Sequence, residues 1–337
     1  MLSATSTVFR SSRLFPLVSS RLLECCNHRE TSAKSMASMA PVGFIGLGNM
    51  GAHMAKNLIN KGYPVVVNDV YPEAVADLAD LGAQVGDTPA DVAQKADRII
   101  TMLPSSPNVL EVYTGENGIL SSVKPGTLLI DSSTIDPQVS KDVAAIAEKK
   151  GATFMDAPVS GGVNAARDGM LTFMVGGKTE EFVAAEELLL NMGKKVWHTG
   201  AVGTGEAAKI CNNMLLAISM IGVSEVMNLG TRLGLDKKIL ADILSTSTGR
   251  CWSVDTYNPV PGVIEGVPSS NNYQGGFGTA LMAKDLGLSN AAAINTKSPI
   301  PLGSLSNQIY RLMCNQGYSL KDFSSVYQFL KEQQDSS

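Results

Sequence analysis

The most constraining stretch of the chain is Gly43-Phe44-Ile45-Gly46-Leu47-Gly48-Asn49-Met50-Gly51, a β-rich run that breaks at glycines spaced G-x-G-x-x-G and continues as an amphipathic helical run. In that setting the spacing is a strand-to-helix turn that can approach a pyrophosphate. Gly46 permits the tight turn, Gly48 leaves room for phosphate oxygens beside backbone N–H groups, and Gly51 lets helix and strand pack closely. The start of the helix adds N–H donors and the positive end of the helix dipole. Gly46, Gly48, Asn49, Met50 and Gly51 are therefore candidate cofactor-binding residues.

Alone, that spacing is weak evidence. Its support is Asp69, which closes the next β-rich run about twenty residues on, where a carboxylate can accept a hydrogen bond from an adenosine ribose 2′-OH. A carboxylate there also repels a 2′-phosphate, and no arginine follows to receive one, so NAD is expected rather than NADP. Asp69-Val70-Tyr71-Pro72 is also a turn sequence, and a purely local role for Asp69 stays open.

From 42 to about 198, short β-rich runs alternate with amphipathic helical runs. Strands are expected over 42–47, 65–69, 98–102, 127–131, 153–157, 171–175 and 195–198, with helices such as 50–61, 72–81, 139–150 and 180–191 between them. This is the pattern of a mostly parallel, doubly wound α/β sheet of Rossmann type. After Gly200 the strands stop. Residues 206–233 read as one long helix that is apolar on nearly every side, implying burial in an all-helical second domain or a subunit contact. A membrane span is the rival reading, but the uninterrupted apolar core, 214–223, is too short and is bracketed by Lys209 and Glu225. Further helices are expected over 237–244, 279–293, 301–316 and 321–332, with a long loop from Tyr257 to Gly278. The expected division is therefore 41–200 for the dinucleotide-binding domain and 201–337 for the helical domain.

Residues 1–40 carry Arg10, Arg13, Arg21, Arg29 and Lys34 against only Glu24 and Glu30, with scattered serines, the composition of a mitochondrial transit peptide. A mitochondrial matrix location is expected. A formal net charge of -4 argues against a nucleic-acid or anionic-membrane partner and leaves a small molecule as the expected one. The cysteines Cys25, Cys26, Cys211, Cys251 and Cys314 have neither disulfide-framework nor metal-site spacing, so no metal is expected.

Ligands of open α/β sheets sit beyond the carboxyl ends of the strands, so Thr101-Met102-Leu103-Pro104 and Asp131-Ser132-Ser133-Thr134 should line the cofactor cleft. Leu103 and Pro104 would cover the nicotinamide ribose side, with Asn108 nearby and Thr134 donating a hydroxyl. Ser105, Ser106 and Ser133 read equally well as turn formers. Ser160-Gly161-Gly162 is a candidate anion grip, two glycines turning N–H groups inward beside a hydroxyl; a plain strand-to-helix turn is the alternative. Lys209 lies near the start of the long apolar helix with Asn213 four residues on and so on the same face. Shielding from water should lower its pKa towards the range of a proton acceptor for a substrate hydroxyl; a lysine snorkelling off the helix end is the alternative. Lys284 sits on an otherwise apolar helix and could contact cofactor or substrate carboxylate, or simply pair with Asp285 at the surface. Trp252 and Tyr257 are pocket walls or core.

Four segments, 43–51, 156–177, 203–213 and 277–288, together resemble the β-hydroxyacid dehydrogenase family, and the likeness runs through essentially the whole chain after Ala40. The resemblance implies oxidation of 3-hydroxyisobutyrate to methylmalonate semialdehyde with NAD in valine breakdown. It also implies Lys209 as the catalytic lysine with Asn213 as its partner, Ser160, Gly161 and Gly162 as the carboxylate grip, Lys284 as a ligand-contacting lysine, and a homodimer or homotetramer. Asp69 stands where NADPH-dependent glyoxylate reductase relatives have arginine, in line with the charge argument. The rival functions are an NADPH-dependent semialdehyde or glyoxylate reductase and a non-catalytic dinucleotide-binding scaffold.

Overall fold

The structure, a computed structural model, describes residues 40–332. Residues 1–39, which hold nearly all of the expected transit peptide, lie outside the described residues. Among the described residues nine strands form one sheet: β1 (Val42–Ile45), β2 (Val65–Asn68), β3 (Gln84–Val85), β4 (Arg98–Thr101), β5 (Leu128–Asp131), β6 (Thr153–Asp156), β7 (Val159–Ser160), β8 (Leu171–Gly176) and β9 (Gly193–Gly200). Helices alternate with them: α1 (Gly51–Asn60), α2 (Pro72–Ala79), α3 (Pro89–Lys95), α4 (Ser106–Thr114), α5 (Ile119–Ser122), α6 (Pro137–Lys149), α7 (Gly162–Arg167) and α8 (Thr179–Leu189). Beyond Gly200 the chain is helical: α9 (Thr204–Arg232), α10 (Lys237–Thr246), α11 (Trp252–Asp255), α12 (Thr279–Thr296), α13 (Pro301–Met313) and α14 (Val326–Glu332).

The sheet order is β3-β2-β1-β4-β5-β6-β8-β7, with β9 on the other side of β8. Pairing is parallel from β3 through β6, antiparallel at β6–β8 and β7–β8, and parallel again at β8–β9. The chain thus switches direction of progress between β1 and β4, which leaves a crevice at their carboxyl ends. Register places those ends in one row: Asn68 beside Ile45, Ile45 beside Thr101, Thr101 beside Asp131, and Asp131 beside Asp156. The loops after β1, β2, β4 and β5 that are expected to carry the cofactor begin one residue beyond this row.

The central strands are buried on both faces, as their unbroken apolar runs require. Alternate residues feed two cores: Val42, Phe44, Val65 and Val67 meet α1, α2, α7 and α8, while Ile45, Val66, Ile99 and Leu129 meet α3 through α6. Each fully buried aliphatic side chain contributes about 1.5–3 kcal/mol against staying in water. Prolines start α2, α3, α4 and α6 in the first turn, where no intrahelical N–H is lost.

α9 is long and apolar enough to cross a bilayer by length and composition. Instead it is the core helix of the second half: Ala217, Met220 and Ile221 pack with Met282 and Leu286 of α12, Tyr310 and Met313 of α13, and Val326 and Phe329 of α14. Sequence periodicity misplaces two details. β3 and β7 are two-residue strands, too short to leave a periodic signal. The last helix starts at Val326 rather than at 321, because Asp322 folds back to accept from Ser324 N and Phe277 N and so caps a separate turn.

Candidate active site

The glycine turn divides its three glycines by what surrounds them. A Cβ on Gly46, whose φ is +94°, would overlap the Met102 carbonyl, and one on Gly51 would overlap the Gly46 carbonyl. A Cβ on Gly48 would meet nothing within 4 Å. Protein packing therefore explains Gly46 and Gly51, whereas Gly48 borders open space on the side where a phosphate would approach. The start of α1 fits the same group. Its N-cap position is Met50, with no side-chain cap and no acid in the first turn. α3, α6 and α10 are instead capped by Thr88, Asp136 and Asp236. An uncapped helix start beside a bare Cα is a fit for a dinucleotide pyrophosphate.

Asp69 has a structural task. One carboxylate oxygen accepts from Leu47 N at 2.5 Å and the other from Tyr71 N at 2.8 Å. It thus ties the glycine turn to the end of β2 and keeps further lone pairs for a ribose hydroxyl. The local reading of Asp69 is thus met by two hydrogen bonds.

Beyond β4 and β5 the two loops are bonded to each other. Ser133 Oγ donates to Asp131 Oδ1 at 2.5 Å and accepts from Leu103 N at 2.8 Å, so Ser133 is more than a turn former. Ser105 Oγ donates to Asn108 Oδ1 at 2.6 Å, which fixes Asn108 at the start of α4. Thr134 contributes its carbonyl, which accepts from Lys284 Nζ at 2.6 Å; the Pro104 carbonyl accepts from the same nitrogen at 3.4 Å. Lys284, on α12, therefore bridges the helical half to both loops expected to flank the nicotinamide.

Lys209 is 8% exposed, near the start of α9. Burial pushes its amine below the usual lysine range, against the pull of Asp285 and Glu206 and with the help of Lys284. It does not snorkel. Its Nζ donates to Asn213 Oδ1 at 3.2 Å, Asn213 Nδ2 donates to Asp285 Oδ2 at 2.6 Å, and Asp285 Oδ1 lies 3.2 Å from Lys284 Nζ. The pairing of Lys284 with Asp285 is real but not at the surface, for Asp285 is 2% exposed. One polar chain thus runs from Lys209 through Asn213, Asp285 and Lys284 to Thr134 and Pro104.

The N-terminus of α9 is itself held by the sheet. Asp156, the last residue of β6, accepts from Gly203 N at 2.7 Å and Glu206 N at 2.9 Å. Asp131, Asp156 and Glu206 are all fully buried here, and burial raises each carboxyl, Asp156 to about 6 and Glu206 well above its ordinary range. None of these docking roles is visible along the sequence, because the partners lie tens of residues apart. Asp156 sits inside a recognisable motif, but Glu206 and Asp285 carry no local signal beyond being acids on apolar helices.

Ser160 ends β7, and Gly161 and Gly162, with φ of +139° and +70°, turn the chain into α7. Among the described contacts they make no hydrogen bond to the lysine chain. Trp252 and Tyr257 stack with centroids 4.7 Å apart. Tyr257 also lines a cavity of about 440 Å³ with Asn164 and the 266–276 loop, so the long loop and the segment after Gly162 face one space.

A model of the NAD binding domain of 6-phosphogluconate dehydrogenase matches residues 41–200, and a model of the NAD-binding domain of NADP-dependent 3-hydroxyisobutyrate dehydrogenase matches residues 203–330. Human mitochondrial 3-hydroxyisobutyrate dehydrogenase is 65% identical over 332 residues, 98% of this chain and 97% of the relative. The chain belongs to the 3-hydroxyisobutyrate dehydrogenase family. The Drosophila melanogaster member is 49% identical over 87% of this chain and 90% of its own. Among solved structures, Mycobacterium tuberculosis 3-hydroxyisobutyrate dehydrogenase with L-serine aligns at a TM-score of 0.83 with 42% identity, covering 87% of this chain and 99% of that one. The α/β sheet followed by helices is thus the architecture of this oxidoreductase family, and NAD is its class of cofactor.

Proposed function

We propose that this protein is the mitochondrial enzyme that oxidises 3-hydroxyisobutyrate to methylmalonate semialdehyde with NAD, in valine catabolism, and that Lys209 is its general base. The observation that carries the mechanism is Lys209 itself: a buried amine, depressed below the lysine range and bonded to Asn213, on a chain of side chains that ends at the cofactor loops. Residues 41–200 serve as the dinucleotide-binding domain, and 201–337 complete the site.

When bound, NAD supplies the two-electron acceptor. Gly46, Gly48, Asn49, Met50 and Gly51 would hold its pyrophosphate and Asp69 its adenosine ribose. Leu103, Pro104, Asn108 and Thr134 would flank the nicotinamide half, with Lys284 joining them from α12. Ser160, Gly161 and Gly162 would grip the substrate carboxylate, with Lys284 as a further substrate contact. Lys209 Nζ takes the hydroxyl proton while Asn213 orients the amine. Depression of the lysine matters because only the neutral amine can accept that proton.

Two measurements test the reading. Lys209→Met should lower kcat by about 10²–10⁴-fold while NADH still binds; near-normal turnover would remove the lysine from the chemistry. Initial rates with NAD and NADP over a panel of small hydroxy acids should favour NAD and 3-hydroxyisobutyrate. A preference for NADP would instead support the reductase alternative and overturn the role of Asp69. No turnover on any hydroxy acid, with NAD bound, would leave a scaffold.

We also propose a homodimer or homotetramer. Its support is the apolar surface of the helical half, where Leu229, Leu233, Ile239, Leu302 and Leu305 are all exposed.

A further inference from the structure

Proton transfer to Lys209 needs more than a neutral amine; the nitrogen lone pair must also be open to the substrate hydroxyl. Asn213 decides this, because its amide can face the lysine in two ways of nearly equal shape. With the carbonyl oxygen towards Lys209, the amide accepts one amine N–H and leaves the lone pair free. With the NH2 towards Lys209, it donates to the lone pair and consumes the base. The choice falls to the partners on the far side of the amide.

Those partners agree. Asp285 Oδ2 stands 2.6 Å from Asn213 Nδ2, and a carboxylate offers only acceptors, so the amide nitrogen must point to it. Asn213 Oδ1 is thereby left 3.2 Å from Lys209 Nζ, and Asn212 Nδ2 donates to that same oxygen at 3.0 Å. Asp285 is in turn held by Lys284, whose ammonium lies 3.2 Å from Oδ1 and is anchored on the Thr134 carbonyl. A buried acid on α12 thus sets an amide on α9, across 72 residues of chain.

We propose that Asp285 is a positioning residue for the proton-transfer step: through Asn213 it holds the amide oxygen towards Lys209 and so keeps the amine lone pair open to the substrate hydroxyl. The inference rests on the reading of Lys209 as the base. In that step the substrate O–H bond breaks, an N–H bond forms at Lys209 Nζ, and the alcohol carbon gives up its hydrogen with two electrons to NAD as the carbonyl forms. Asp285 itself exchanges no proton.

Asp285→Asn separates positioning from packing, since it keeps the volume and removes the charge. The new amide turns its oxygen to the Lys284 ammonium and its NH2 to Asn213, which reverses the Asn213 amide and sets NH2 against Lys209. Expected are a kcat about 10²-fold lower at saturating NAD and substrate and an NADH affinity within about threefold of wild type. The acid limb of the kcat–pH profile should also move to lower pH. The titratable groups that bear on that limb are Glu206 on α9 and Asp285 and Lys284 on α12; removing Asp285 withdraws a carboxylate that holds the lysine up.

The double variant Asp285→Asn with Asn213→Asp exchanges carboxylate and amide across the same hydrogen bond. It restores an acceptor to Lys209, so kcat should recover by about tenfold, with the acid limb moved to higher pH. A kcat for Asp285→Asn within about threefold of wild type, an unmoved limb, or a double variant no better than the single one overturns the proposal. Should Asp285→Asn not fold, Asn212→Leu probes the same orientation from an exposed position: kcat falls by about threefold if the amide governs the base and stays level if it does not. Lys209→Met tells the two levels apart. Retained turnover there removes the base itself, whereas an inactive Lys209→Met beside a normal Asp285→Asn removes only the role of Asp285.

Discussion

The three glycines of the first turn are interchangeable in a motif and distinct in the molecule. Gly51 is pressed against the Gly46 carbonyl, so Gly51→Ala forces the strand and helix apart and should cost about 1–3 kcal/mol in a denaturant melt. Gly48 has open space beside it, so Gly48→Ala should leave the ligand-free melt within about 0.5 kcal/mol of wild type. The same added methyl stands where phosphate oxygens would come, and the NADH Kd should rise by about tenfold or more. A calorimetric melt and an NADH titration on both variants check the pair; a destabilised Gly48→Ala with normal NADH affinity would assign that glycine to folding instead. The spacing is legible in sequence because the turn is local. Which glycine serves the fold and which the ligand is legible only from the neighbours, Met102 among them, that lie far along the chain.

At the scale of the element, α9 is the part that sequence reads best along its axis and least at its end. Its length, its apolar character and the Lys209–Asn213 spacing are all properties of contiguous residues. Its docking is not, for the groups that hold its N-terminus are Asp156, 47 residues before Gly203, and the Ile135 N–H that Glu206 Oε2 accepts from at 3.2 Å. These buried acids make a stability prediction with a definite sign. Burial, and then the charges of Asp131 and Asp156, raise the Glu206 carboxyl well above its ordinary 4.5, so the folded state favours the protonated form. Its contribution is fully present below that value and is lost as pH rises towards the folded pKa. Asp156, raised to about 6 chiefly by burial, acts in the same direction between about 4 and 6. The wild-type Tm should therefore fall from pH 5 to pH 8. Glu206→Gln keeps an acceptor for Ile135 N and can never ionise, so it should melt higher than wild type at pH 8 and about equally at pH 5. A variant with the wild-type slope would show that Glu206 is ionised in the fold.

For the whole molecule, the same separation of near and far residues decides what the surface does. Lys284 ties the helical half to loops 150 and 180 residues earlier, so the site depends on how the helices stand against the sheet. Those helices keep an apolar exterior. Val226 and Leu229 on α9 and Leu233 just past its end are exposed to one side of the stripe of Met220, Val223 and Met227 that fills the core, and Leu233 is 74% exposed. α10 continues the exposed surface with Ile239 and Ile243 one turn apart. An apolar stripe of this kind on a chain with a net charge of -4 would draw copies together, and a twofold contact would bury it against itself. The protein should sediment as a dimer or larger. Leu229→Glu with Leu233→Glu places four like charges across such a contact and should lower the sedimenting mass to that of one chain. kcat should fall with it, because the helix that loses support at its C-terminal end carries Lys209 at the other. Unchanged mass would put the contact on a different face, such as the exposed Leu302 and Leu305 of α13, and monomers with full kcat would show that α9 needs no partner to present its lysine.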